Sequence, residues 1–142
     1  MQLMPHCLLE YSANLDERGD FPALTRKIAE AMLAQRHEVN GEQKPVFPIG
    51  GVRVRAYACE SFCIGDGSLE AGFVHAEMKI GAGRSAETLK RAGDAVFATI
   101  KSHFAEEFAQ RGLALSLEIN EFSEEGTWKH NNLHQRFQSK VP

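Results

Sequence analysis

No apolar run in the 142 residues approaches the length of a bilayer span. The opening residues, Met1-Gln2-Leu3-Met4-Pro5-His6, lack the basic flank and long apolar stretch of a signal peptide. A soluble, cytoplasmic protein is therefore expected, with no membrane partner. The net charge of -3 leaves no general excess of cations for holding nucleic acid, so none is expected as a partner. Cysteine is scarce. Cys7, Cys59 and Cys63 are an odd set that gives no even disulfide framework, and reduced, partly buried thiols are expected. Cys59, Cys63, His130 and His134 do not have the spacings of the common zinc frameworks, so no metal is expected. There is no Gly-x-Ser-x-Gly elbow for a hydrolase triad and no paired-carboxylate signature.

A hydrophobic fraction of 43% and a charged fraction of 25% are ordinary for one globular domain spanning residues 1–142. The pattern along the chain repeats. In the first half, Cys7 to Ser12 is a short apolar run. Pro22 stands where its missing N–H costs nothing in a first helical turn, and Phe21, Leu24, Ile28 and Met32 follow as one stripe. A polar stretch holding Gly41, Pro45, Pro48, Gly50 and Gly51 reads as a loop. Val52 to Cys59 then alternates as a strand. In the second half, Phe73 to Ile80 alternates. Ser85 is placed to cap a helix whose stripe is Leu89, Ala92, Val96, Ile100 and Phe104, Gly112 marks that helix's end, and Leu113 to Glu121 alternates again.

Two consecutive βαβ units are thus expected: an α+β fold with a four-stranded mixed sheet and two helices on one face. The opposite face would carry Arg53, Arg55, His75, Glu77, Lys79 and Glu118. Two readings stay open for it: a solvated face with cross-strand charge pairs, or a face packed on other subunits with a charged pocket at the seam. Residues 123–142, with Trp128, are expected to cover a sheet edge or a neighbour.

Gly81-Ala82-Gly83-Arg84-Ser85 joins a strand to a helix, where glycine turns can hold an anion against a helix N-terminus. It is too short for a dinucleotide fingerprint, and no P-loop lysine follows. An arginine at this corner suits a carboxylate, since the guanidinium fork matches it in two-toothed fashion. The competing reading is a capping turn with an exposed arginine. Met4-Pro5 gains meaning only if Met4 is the start and is removed, because Pro5 would then carry a free secondary amine.

Four stretches together resemble the 5-carboxymethyl-2-hydroxymuconate isomerases of the tautomerase superfamily. They are Met4-Pro5-His6, Pro48 through Arg55, Phe73-Val74-His75 running through Lys79 to Ser85, and Leu115 to Ile119 with Lys129 to His134. The resemblance covers Met4 to about Phe137. It implies a homotrimer of βαβ-repeat subunits and cofactor-free isomerisation of 5-carboxymethyl-2-hydroxymuconate in the breakdown of homoprotocatechuate. It also implies an N-terminal proline base, mapping to Pro5, and two arginines that bind the carboxylates of a di- or tricarboxylate substrate, mapping to Arg53 and Arg84. The chemistry is coherent. An α-amine has a reference pKa near ~8, and neighbouring cations and burial both lower it toward the working range of a base.

Two features depart from the family pattern. Residues 1–4 precede the proline and are expected to be an N-terminal extension. An apparent insertion at Arg36 to Lys44 lies before Arg53 and bears on the exact substrate. Two other functions remain in view: a broader enol–keto tautomerase of 2-hydroxydienoates, and a non-catalytic trimeric carboxylate-binding protein. His6, His75 and Glu77 are assigned no catalytic role, and His75 is expected to be a satisfied polar group on the sheet.

Overall fold

The structure is a computed structural model and describes residues 4–140. The segment 1–3, most of the expected N-terminal extension, lies outside the described residues, as do 141–142 of the tail.

The first unit is β1 (His6–Ser12), a 3₁₀ turn (Ala13–Leu15), the short α1 (Asp16–Gly19), α2 (Phe21–Leu33), the strands β2 (Arg36–Val39) and β3 (Glu42–Pro45), and β4 (Arg53–Cys59). The second is β5 (Ala71–Gly81), α3 (Ala86–His103), α4 (Ala105–Gln110) and β6 (Gly112–Phe122). A tail helix, α5 (Leu133–Gln138), follows. The main sheet has the order β4-β1-β5-β6. Within each unit the strands are parallel (β1 with β4, β5 with β6), and the units join through the antiparallel β1–β5 pair. This is the expected α+β architecture, a four-stranded mixed sheet from two βαβ units.

Alternation decides which face is covered. Cys7, Leu9, Val74, Ala76, Met78 and Ile80 are fully buried, and they pack with the α2 stripe (Leu24, Ile28, Met32) and the α3 stripe (Ala92, Val96, Ile100). Asp20 caps α2 by accepting from the Ala23 N–H, with Pro22 in the first turn. Ser85 caps α3 by accepting from the Thr88 N–H at 3.1 Å. The helix expected to run to Gly112 instead breaks at Phe104, where φ/ψ of -104°/18° interrupts the helix, and Gly112 opens β6.

The open face bears the expected charged residues; Arg55, His75 and Glu77 bond across strands, while Lys79 pairs with Glu77 along its own strand. His75 places Nδ1 2.6 Å from Ser116 Oγ and Nε2 3.2 Å from Glu118 Oε1. His75 is therefore a satisfied polar group, as its position in the alternation suggested.

A second expectation also fails. The stretch read wholly as a loop contains the antiparallel β2–β3 hairpin. Its turn is Asn40-Gly41, with φ of +53° and +82°, the positive pair that a tight hairpin turn of the mirror-image type requires. The hairpin covers the apparent insertion almost residue for residue. It leads into Val46 and Phe47, which are 4% and 1% exposed and seal the end of the core.

Candidate active site

The register brings three chain segments to one end of the sheet. His6 pairs with Arg53 on one side and Lys79 on the other, so the start of β1, the start of β4 and the end of β5 lie together. Pro5 is buried just ahead of β1. Its carbonyl accepts from the Arg53 N–H at 3.1 Å, which seats the arginine directly beside the proline. The Arg53 side chain donates from Nη1 to the Gly50 carbonyl at 3.0 Å, and its Nη2 approaches Met4 Sδ at 3.7 Å. Pro5 and Arg53 are thus brought into contact.

Arg84 comes to the same end from the β5–α3 turn but makes no contact with either. It is half-buried and tightly held. Nε and Nη2 donate to the Val46 carbonyl at 3.2 and 3.0 Å, Nη1 donates to the Gly81 carbonyl at 2.9 Å, and the guanidinium lies 5.1 Å from the Phe47 ring centre. Burial lowers its pKa, and the Glu121 carboxylate acts against that shift. The exposed capping-turn arginine weighed from the sequence is not what forms. Three of the five guanidinium N–H groups are spent on carbonyls, leaving two for a ligand.

Arg84 opens onto a groove of about 890 Å³. Its wall includes Val46, Phe47, Pro48 and His134, and the hairpin adds Arg36, His37 and Lys44. The hairpin therefore places basic side chains on the groove in which Arg84 sits. Neither Pro5 nor Arg53 lines this groove, although Pro48 connects it to their turn at Gly50-Gly51.

Sequence reasoning passed over two further residues here. His6 places Nδ1 3.0 Å from Arg55 Nη1. Burial first, then the Arg55, Arg53 and Lys79 charges, lower its pKa from 6.5; because a guanidinium only donates, Nδ1 is the acceptor of the Arg55 bond. The register, not any motif, is what exposes it to three cations. The second is His134 of α5, whose backbone packs on Gly50. A Cβ added at Gly50 would stand 2.5 Å from the His134 nitrogen and 2.6 Å from its Cα, so only glycine admits the tail at this distance. Cys7 is buried with its thiol pKa pushed up to about 12, chiefly by burial, while Cys59 is half-buried and Cys63 exposed, all three free. Among the described residues no group of three or more His, Cys, Asp or Glu converges as a metal set, and no helix is long and apolar enough to cross a membrane.

Comparison with known proteins points one way. The family model for 5-carboxymethyl-2-hydroxymuconate isomerase matches residues 5–137. The 5-carboxymethyl-2-hydroxymuconate Delta-isomerase of Escherichia coli is 37% identical over 134 residues, covering 94% of this chain and 99% of that protein. The crystal structure of a 5-carboxymethyl-2-hydroxymuconate isomerase from Deinococcus radiodurans R1 aligns with a TM-score of 0.85 at 49% identity, over 96% of each chain. A further crystal structure of a 5-carboxymethyl-2-hydroxymuconate delta-isomerase aligns at 0.88 with 35% identity, over 99% of this chain and 97% of that one. With the match running from the proline ahead of β1 into α5, the chain belongs to the 5-carboxymethyl-2-hydroxymuconate isomerase family.

Proposed function

We propose that the protein isomerises 5-carboxymethyl-2-hydroxymuconate in the cytoplasm by proton transfer, without a cofactor, in the breakdown of homoprotocatechuate. The base is the Pro5 nitrogen in a chain whose first residue is Pro5. While Met4 is attached, that nitrogen is an amide and has no basicity to offer. As a free amine it takes the proton of the substrate's 2-hydroxyl, leaving a dienolate, and returns that proton to a carbon of the chain, so the double bond moves and nothing is consumed. Arg53 holds one substrate carboxylate beside the proline, and Arg84 holds another from the groove. Their charges also favour the negative charge that develops in the dienolate.

The observation that carries this reading is the 3.1 Å bond from the Arg53 backbone N–H to the carbonyl of Pro5, together with a guanidinium held at the Gly50 carbonyl and directed at Met4, the residue bonded to Pro5. His6 supports it from the adjacent position. Burial and three nearby cations push a histidine toward its neutral form there, and the same surroundings favour an unprotonated amine one residue away.

The assembly we infer is a homotrimer in which the open sheet face packs against neighbouring subunits. Glu118 and Tyr57 on that face are left exposed by the single chain.

The test is direct. Protein starting at Pro5, verified by intact mass, should interconvert the muconate isomers in an ultraviolet assay. Faster turnover of simple 2-hydroxydienoates, judged by kcat/KM, would move the reading to a general tautomerase. Absence of any turnover would leave a carboxylate-binding protein.

A further inference from the structure

The stretch Lys129 to His134 has no role in the chemistry above, yet it comes to the proline. The glycine at position 50 lets the His134 backbone settle on the turn that precedes Arg53. Three residues upstream, Asn131 is oriented by its own backbone. Its Oδ1 accepts from the Leu133 N–H at 3.1 Å, which commits the oxygen to the turn and turns Nδ2 outward as a donor. That Nδ2 points at Met4 Sδ, 3.7 Å away. Arg53 Nη2 approaches the same sulfur at 3.7 Å, while its Nη1 is held by the Gly50 carbonyl. Two strong donors, one of them charged, therefore converge on a thioether, which is a weak acceptor. The mismatch lies on the residue bonded to Pro5.

We propose that Arg53 and Asn131 form a carboxylate notch at Pro5, that the Met4 side chain plugs it while Met4 remains attached, and that Asn131 is a substrate-binding residue. A carboxylate oxygen accepts from both donors at once and offsets the arginine's charge, which the sulfur does not. Retention of Met4 then blocks the site twice, by turning the Pro5 nitrogen into an amide and by filling the place of an anionic group. The proposal rests on the proline-base reading only for which carboxylate is bound, because the notch itself requires no proton transfer.

Binding of adipate, a saturated six-carbon dicarboxylate with no double bond to move, separates the two. Titration calorimetry should show adipate binding to the chain beginning at Pro5 and at least about tenfold weaker binding to the chain beginning at Met1. Asn131→Asp keeps the oxygen that Leu133 N–H needs but replaces the outward donor with a second oxygen, so it should weaken adipate binding by more than about tenfold with the tail still in place. Asn131→Ala should weaken it less. In turnover, both variants should raise KM more than they lower kcat. Equal adipate binding by the Met1 and Pro5 chains, undiminished binding by Asn131→Asp, or no binding by the Pro5 chain would overturn the notch. Adipate binding without isomerase turnover would leave the notch standing and remove Pro5 as the base.

Discussion

Arg53 and Arg84 reach the same end of the sheet from different halves of the molecule. Arg53 opens β4, gives one side-chain N–H to the Gly50 carbonyl and directs another at a sulfur. Arg84 follows β5 and gives three N–H groups to the carbonyls of Val46 and Gly81 while lying over Phe47. The first is lightly anchored and has donors to spare for a ligand. The second also fastens the hairpin's exit strand to the β5–α3 turn. Similar chemistry is expected of both, but only one of them is a structural clamp, and experiments that read activity and stability together will tell them apart.

The largest effect concerns the residue that neighbours Arg53. General-base catalysis contributes roughly 10²–10⁴-fold, so the chain retaining Met1–Met4 should turn over at least about 100-fold more slowly than the chain beginning at Pro5 in the same ultraviolet assay. Comparable rates would end the proline mechanism. Next, Arg53→Ala in the Pro5 chain should lower kcat/KM by about 10- to 100-fold, the scale of a hydrogen bond to a charged group, with a melting temperature close to that of the parent. Arg84→Ala should also lower kcat/KM, but with a loss of stability of about 1–3 kcal/mol, because the buried Val46 and Gly81 carbonyls lose their donors. That corresponds to a fall in Tm of about 2–4 °C per kcal/mol. If Arg53→Ala proves the more destabilising of the two, the comparison is reversed.

Smaller effects sharpen the same contrast. Gly41→Ala leaves open space around the new methyl but forces a φ of +82° on alanine. The strain, about 1 kcal/mol, falls on the hairpin that Arg84 fastens and should appear as a small drop in Tm. On the Arg53 side, folding lowers the pKa of His6, so the unfolded chain takes up a proton first as the pH falls through 6.5. His6 should therefore reduce stability progressively below that pH, until the pH passes its folded-state value. Urea midpoints measured against pH should show this dependence and should lose part of it in His6→Gln.

Much of the fold was legible because its period is simple. Alternation in Val52 to Cys59 and Phe73 to Ile80, and the helical stripes on either side, fix which face is buried, and the βαβ order leaves few ways to join the strands. The hairpin escaped because Arg36 to Pro45 has no buried face to give it a pattern. Its signal was the Asn40-Gly41 pair, of which only Gly41 was noted, as loop punctuation rather than as part of a turn between strands. The resemblance singled out the two arginines, but how each is held was not legible. The Arg84 clamp depends on the carbonyl of Val46, 38 residues away, and no local pattern announces such a contact. Asn131 was quoted within a motif, yet its place beside Met4, 127 residues distant, follows only from the close fit of the tail on Gly50.

That fit at Gly50 has a bearing on assembly of the pocket in time. All four strands of the main sheet are in hand by Phe122, whereas Asn131 and His134 lie beyond it, with His134 seated on the turn ahead of Arg53. A polypeptide truncated after Phe122 would retain the whole framework and arrive with its pocket unfinished. A single methyl group at residue 50 would have much the same result, by barring the latch from its seat.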